Sequence, residues 1–289
     1  MQNRYTRCMK DHELTNAISE SITKLKNDCV RQNLLKAYLC EMVPRSSSAT
    51  LEIADGMLGK LNLFAQTNPI YSKELDLVLD GVPYKCYQGD INDYWLGSKK
   101  YDTCYQPFYP TWILSAWALA LESKRLGFTE LIDVGSGDGR IAYCASALGL
   151  NAFSIEINSE LALLQKKISK STNINYEILN VDATTFNYKS LSLSNPIFFI
   201  SALPEVGDIM AKSVLTSVTQ QLKLRNWIGF NFMGSHKMNT YTKDRTKWGW
   251  GDVIKSFKLQ LVNCITLPTL WTNDQDTGTP YIYTKVKQT

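Results

Sequence analysis

Three acids and three glycines carry the chemistry that can be read from this 289-residue sequence. Asp133 lies at the end of a short apolar run, Leu131-Ile132-Asp133-Val134, and Gly135, Gly137 and Gly139 follow at every second position, with Ser136 and Asp138 between them. Glu156 ends a second run, Ala152-Phe153-Ser154-Ile155-Glu156, and the stretch from Glu177 into Val181-Asp182-Ala183 reads as a third strand with Asp182 at its end. Glycines let the backbone take positive φ and approach a ligand closely, while a helix starting at the turn offers unpaired N–H groups. A carboxylate at the end of a strand can hold a hydroxyl, such as one of a ribose, by a charge-assisted hydrogen bond.

These residues need a particular frame. Ile141 to Leu148 is apolar-periodic and ends at Gly149, which predicts strand, glycine turn, helix and C-cap. Asn158 is placed to cap a helix bearing Leu161, Leu164 and Ile168 on one face. Ile197 to Ile200 predicts a further strand running into Ser201-Ala202-Leu203-Pro204-Glu205, followed by a helix over 205–224 and a strand over 227–232. Ligands in open parallel sheets bind outside the carboxyl ends of the strands, which makes Ser201 and Glu205 candidates for the reacting centre.

The spacing narrows the ligand. A dinucleotide fingerprint is G-x-G-x-x-G, whereas here the third glycine comes one residue earlier. The run Asp133 to Gly139 resembles motif I of the class I S-adenosylmethionine-dependent methyltransferases. That resemblance implies an α/β fold with a doubly wound, Rossmann-like seven-stranded sheet, and S-adenosyl-L-methionine as cofactor with S-adenosyl-L-homocysteine as product. By the same resemblance, stretches 258–266 and 281–286 are expected to form the antiparallel strand pair that closes the sheet. It implies that Asp133, Gly135, Ser136, Gly137, Asp138 and Gly139 form the cofactor turn. Glu156 and Ile157 would then meet the ribose, and Asp182 and Ala183 the adenine. Tyr109-Pro110-Thr111, roughly two dozen residues ahead of the turn, resembles the pre-motif loop of small archaeal and mitochondrial protein lysine methyltransferases. By that resemblance Tyr109 and Thr111 fold over the methionine end, with Tyr109 beside the methyl group. The likeness covers about residues 105–235 and not the first 90. The chain lacks the Asn/Asp-Pro-Pro-Tyr/Phe of amino-methylating DNA enzymes and the Pro-Cys pair of cytosine-C5 enzymes.

The remainder is expected to serve this domain, which is taken as residues 96–289, with 1–95 as a mainly helical accessory region that helps choose the acceptor. Leu14, Ile18, Ile22, Leu25, Cys29, Leu35 and Leu39 recur at helical spacing, predicting one or two helices over 12–43, stopped by Pro44. A short helix is expected over 50–66, and Leu75 to Cys86 around Asp80-Gly81 predicts a hairpin. Residues 105–112 concentrate aromatics and are expected to wall the transferred methyl group; the alternative is that Phe108, Tyr109 and Trp112 only pack the accessory region against the sheet. Lys237, Lys243, Arg245 and Lys247, interleaved with Tyr241, Trp248 and Trp250, suit nucleic acid or an acidic protein surface, or else form a solvated loop with its aromatics tucked inward.

With 44% hydrophobic and 20% charged residues the composition is globular, and a net charge of +4 does not demand nucleic acid. No apolar run approaches the ~20 residues needed to span a bilayer. The N-terminal stretch lacks the apolar core of a signal peptide, and the seven cysteines read as reduced thiols. A cytoplasmic protein is therefore expected. With only two histidines a zinc site is not. The expected activity is methyl transfer to a protein lysine; the alternatives are an RNA or small-molecule acceptor, or a non-catalytic scaffold that binds the cofactor.

Overall fold

The structure, a computed structural model, describes residues 2–31, 39–49, 51–90, 110–222, 227–234, 249–269 and 278–287. The chain begins with α1 (Gln2–Arg31), β1 (Leu39–Pro44), α2 (Asp55–Thr67), β2 (Lys73–Leu79) and β3 (Val82–Gly89). Then α3 (Ile113–Arg125) leads into an alternating series: β4 (Glu130–Val134), α4 (Arg140–Ala147), β5 (Asn151–Ile155), α5 (Ser159–Thr172), β6 (Glu177–Leu179), β7 (Pro196–Ile200), α6 (Pro204–Gln221) and β8 (Trp227–Met233). The described part closes with α7 (Gly251–Ser256), β9 (Gln260–Leu267) and β10 (Thr279–Lys287).

Seven strands form one sheet in the order β6-β5-β4-β7-β8-β10-β9. The first five run parallel, and β10 inserts antiparallel between β8 and β9. This is the doubly wound, Rossmann-like seven-stranded α/β sheet that the sequence led us to expect. Its strands are apolar on both faces, as a covered parallel sheet requires. Leu131, Ile197 and Phe199 belong to one core with α3 and α4, whereas Ile132, Phe198 and Phe230 belong to a second with α6 and α7.

The N-terminal residues cover the first of these cores. Ile22 and Leu25 of α1 and Leu58 and Phe64 of α2 share it with Trp112, Leu119, Ile141 and Phe199. The β2–β3 hairpin forms as expected, with Asp80 (φ 48°) and Gly81 (φ 78°) both left-handed at its two-residue turn. The helical reading of 12–43 is corrected at its end. Among the described residues the helix covers Gln2–Arg31, and Leu39 to Pro44 is a strand paired antiparallel with β3, with Met42 opposite Cys86. A short apolar run fits either period, and here a waiting strand edge decided it. The expected helix at 50–66 runs from Asp55 to Thr67. The expected domain boundary near residue 95 lies outside the described residues, as does Leu35.

A buried polar cluster ties this N-terminal layer to the glycine turn. The Arg140 guanidinium (3% exposed) pairs with Glu41 of β1 and with Asp138, and it donates to the carbonyl of Thr111. Glu41 also accepts from the Ile113 amide at 2.9 Å and from the Tyr71 hydroxyl, while Asn68 Nδ2 donates to Asp138 Oδ2 at 2.7 Å. Burial pushes the Glu41 carboxyl above its ordinary range, opposed by Arg140 and the Tyr71 hydroxyl. Removing one partner of such a cluster strands the others in a low dielectric. Glu41→Ala is expected to cost about 3–5 kcal/mol of stability, read as the shift in a urea unfolding curve. A curve that coincides with wild type would show the cluster to be energetically idle.

Candidate cofactor site

The turn after β4 is built from backbone. Gly135, Gly137 and Gly139 have φ of 73°, 59° and 77°, a region open to glycine at little cost. At Gly139, the N-cap of α4, a Cβ would also sit 2.5 Å from the Tyr176 hydroxyl and 2.7 Å from Gln165 Oε1. The turn is pinned from the β5 side, where the Gly135 amide donates to the Ile155 carbonyl at 2.9 Å. It is pinned from below by Gln165 of α5, whose Nε2 donates to Ser136 Oγ (2.9 Å) and to the Gly137 carbonyl (2.7 Å). Ser136 and Ser154 exchange a hydroxyl hydrogen bond of 2.7 Å. Sequence reasoning missed Gln165. Its one signal is a polar side chain on the buried face of α5, in line with Ala162 and Ile168.

The three acids differ in what they already hold. Glu156, just past the end of β5, accepts from the Gly137 amide at 2.8 Å and the Asn158 amide at 2.9 Å, so each of its oxygens keeps a free lone pair. Burial raises its pKa, and those backbone N–H groups oppose the rise. Asn158 caps α5 as expected, accepting from the amides of Glu160 and Leu161. Asp182 lies beyond β6, which ends at Leu179. Its Oδ1 accepts from the amide and hydroxyl of Thr184, so the third acid sits in a turn rather than in a strand. Asp133 is 1% exposed; Ser201 Oγ donates to its Oδ1 at 2.7 Å, and its Oδ2 has no partner. Burial pushes the Asp133 carboxyl up to about 7, with the Ser201 hydroxyl opposing and the charges of Glu156 and Asp138 adding.

A cavity of about 430 Å³ runs along the carboxyl ends of the parallel strands, within the range of small-molecule sites. Of the expected residues, Thr111, Asp133, Gly135, Ser136, Gly137, Asp138, Glu156, Ile157, Asp182, Ala183 and Ser201 line it. Gly139 and Glu205 do not line it; Glu205 is exposed in the first turn of α6. Asp138 spends its carboxylate on Arg140 and Asn68, so what it offers the cavity is backbone. Thr111 Oγ1 donates to the Pro268 carbonyl at 3.2 Å and accepts from the Tyr281 hydroxyl at 2.9 Å. Trp112 is fully buried in the core. Tyr109 and the rest of the aromatic segment 101–109 lie outside the described residues. So do the basic residues of 235–248, whereas Trp250 is buried against Phe232 and donates to the Met233 carbonyl. The cavity also has lining that the sequence did not single out, namely Asn231, Met233, Met210 and Tyr281.

No protein-family model and no curated protein matches the chain. Solved structures do resemble it. A Pyrococcus abyssi tRNA (uracil-54, C5)-methyltransferase in complex with S-adenosyl-L-homocysteine aligns at 12% identity and a TM-score of 0.46, over 74% of this chain and 44% of that one. This chain thus spans less than half the length of that enzyme. A putative RNA methyltransferase from Pyrococcus horikoshii aligns at 14% identity, TM-score 0.45, over 69% and 98% of the two chains. Magnesium protoporphyrin IX methyltransferase from Synechocystis aligns at 10%, TM-score 0.40, over 68% and 98%. Among the described residues no group of three His, Cys, Asp or Glu side chains could hold a metal ion, and no helix is long and apolar enough to cross a membrane.

The Asp133 shift fixes the sign of a pH dependence. A carboxyl raised from 3.8 to about 7 stabilises the fold fully below pH 3.8, and that contribution is lost as pH rises through about 7. Asp133→Asn removes the loss. Its stability relative to wild type is expected to climb between pH 4 and 7, by about 4 kcal/mol at most, and to level off above. Paired unfolding curves across that range check it, and a constant difference would refute the assignment.

Proposed function

We propose that the protein binds S-adenosyl-L-methionine across the carboxyl ends of β4, β5 and β6 and transfers its methyl group, with a protein lysine as acceptor. The observation that carries the reading is the convergence of Asp133, Glu156 and Asp182 on one cavity, beside a glycine turn that brings backbone to its wall. Glu156, with a lone pair free on each oxygen, suits the two ribose hydroxyls. Asp182 and Ala183 lie on the wall where an adenine would rest, with Ile157 and Leu161 as apolar cover. The unpartnered, buried Asp133 Oδ2 fits the cationic end of such a molecule, since a charge beside it would draw the carboxyl back to its ionised form.

The sulfonium supplies an activated methyl group, so the protein has only to align the acceptor and exclude water. A lysine must arrive neutral, which an apolar approach favours by lowering its pKa. Pro110, Met210, Met233 and Tyr281 give part of the cavity lining that character. No general base is needed once the amine is neutral. In this reading the N-terminal layer, together with the segment that contains Tyr109, selects the acceptor.

Two measurements test the proposal. Glu156→Ala should weaken S-adenosyl-L-homocysteine binding by about 1.5–3 kcal/mol, as loss of hydrogen bonds to a charged group does, and calorimetry on the folded variant reads it directly. Incubation with tritiated S-adenosyl-L-methionine and a native lysate identifies the acceptor. Label that survives nuclease and is lost to protease is expected. Label lost to nuclease would make the acceptor RNA, and cofactor binding with no transfer would make the protein a scaffold.

A further inference from the structure

One part of the cavity is left without a task by this reading. Asn231, on β8, is 1% exposed and lines the cavity, yet its Nδ2 has no hydrogen-bond partner. A buried amide donor left unsatisfied is costly and rare in native proteins. Among the described residues that line the cavity, Asp133 Oδ2 is the other orphan. The two residues stand on the same cross-strand row, because Asp133 is in register with Phe199 and Phe199 with Asn231. Their side chains therefore share one face of the sheet, with Phe199 between them, also lining the cavity. One orphan is an acceptor that a cation would ionise, the other a neutral donor.

The spacing says what could satisfy both. Two strand intervals separate the residues by about 9–10 Å. The ammonium nitrogen and carboxylate oxygen of one α-amino acid, with a hydrogen bond outward from each, reach about 9 Å. We propose that Asn231 is a specificity-determining residue. Its amide donates to the carboxylate of a free α-amino-acid end while Asp133 accepts from the ammonium of the same group. The inference rests on the cofactor reading above and adds to it a basis for selection. The site would prefer a ligand with an intact zwitterion over the same nucleoside stripped of its carboxylate. Ser201, already bonded to Asp133 Oδ1, holds that carboxyl in the orientation that leaves Oδ2 free.

The test compares S-adenosyl-L-methionine with decarboxylated S-adenosylmethionine, which keeps the ammonium and sulfonium. Calorimetry would be run on the full-length wild type and on Asn231→Leu, a variant with the same branching at Cγ but without a donor. Wild type should bind the intact cofactor about tenfold or more tightly than the decarboxylated form. In Asn231→Leu the ratio should fall close to one through weaker binding of the intact cofactor alone. Unchanged affinity for the decarboxylated form also reports that the variant's site is folded. If Asn231→Leu keeps the wild-type ratio, Asn231 does not read the carboxylate and the inference is overturned. If both affinities fall together, its role is structural and the inference is again overturned. Failure of wild type to bind either compound would instead overturn the cofactor reading itself.

Discussion

The interaction on which the rest of this structure depends is the burial of Arg140. A guanidinium removed from water must be paired, and its partners come from three separate parts of the chain: Glu41 on β1, Asp138 in the glycine turn, and the Thr111 carbonyl ahead of α3. Glu41 and Arg140 are 99 residues apart in sequence. The pairing obliges the N-terminal layer to sit directly behind the turn. The turn's shape and the layer's docking are thus two consequences of one electrostatic requirement.

Around that fixed point the site is assembled with groups left partly unsatisfied. Gln165, Ser136 and Ser154 form a hydrogen-bonded network beneath the turn, which braces its backbone before any ligand arrives. Asp133, Glu156 and Asn231 are treated differently. Burial raises the first two carboxyls, and hydrogen bonds from backbone or Ser201 offset only part of that rise. Asn231 keeps a free donor. A cavity organised this way stores unfavourable polar burial that a complementary ligand would relieve, which is how a preorganised site separates good ligands from poor ones. The apolar lining at Met210, Met233 and Tyr281 adds no polar demand of its own beyond the Tyr281 hydroxyl, which is already bonded to Thr111.

The parts legible from sequence were those whose causes are local. The run from β4 through the turn to α4 was readable because glycines that need positive φ, an apolar strand and an apolar-periodic helix are all recorded within about twenty residues. The Asn158 cap and the Asp80-Gly81 hairpin were readable for the same reason. The adjacency of Asp133 and Glu156 followed from parallel pairing of consecutive strands. What only the tertiary structure decided depended on contacts between distant segments. The stretch Leu39 to Pro44 became a strand because the edge of β3 was there to pair with it. Asp138, one of the expected cofactor residues, turned its carboxylate to Arg140 and Asn68 because the buried cation outcompeted an open cavity for it. Gln165 and Asn231 carry no local pattern; their roles arise from α5 packing beneath the turn and from β8 lying two strands from β4. Glu205 looked central because it follows the end of β7 closely, but Pro204 starts α6 there and the helix carries Glu205 to solvent. Local conformation is set by each residue's own dihedral preferences and neighbours, whereas the partner of a buried polar group is set by whatever the fold brings within hydrogen-bonding distance, and only the folded chain contains that information.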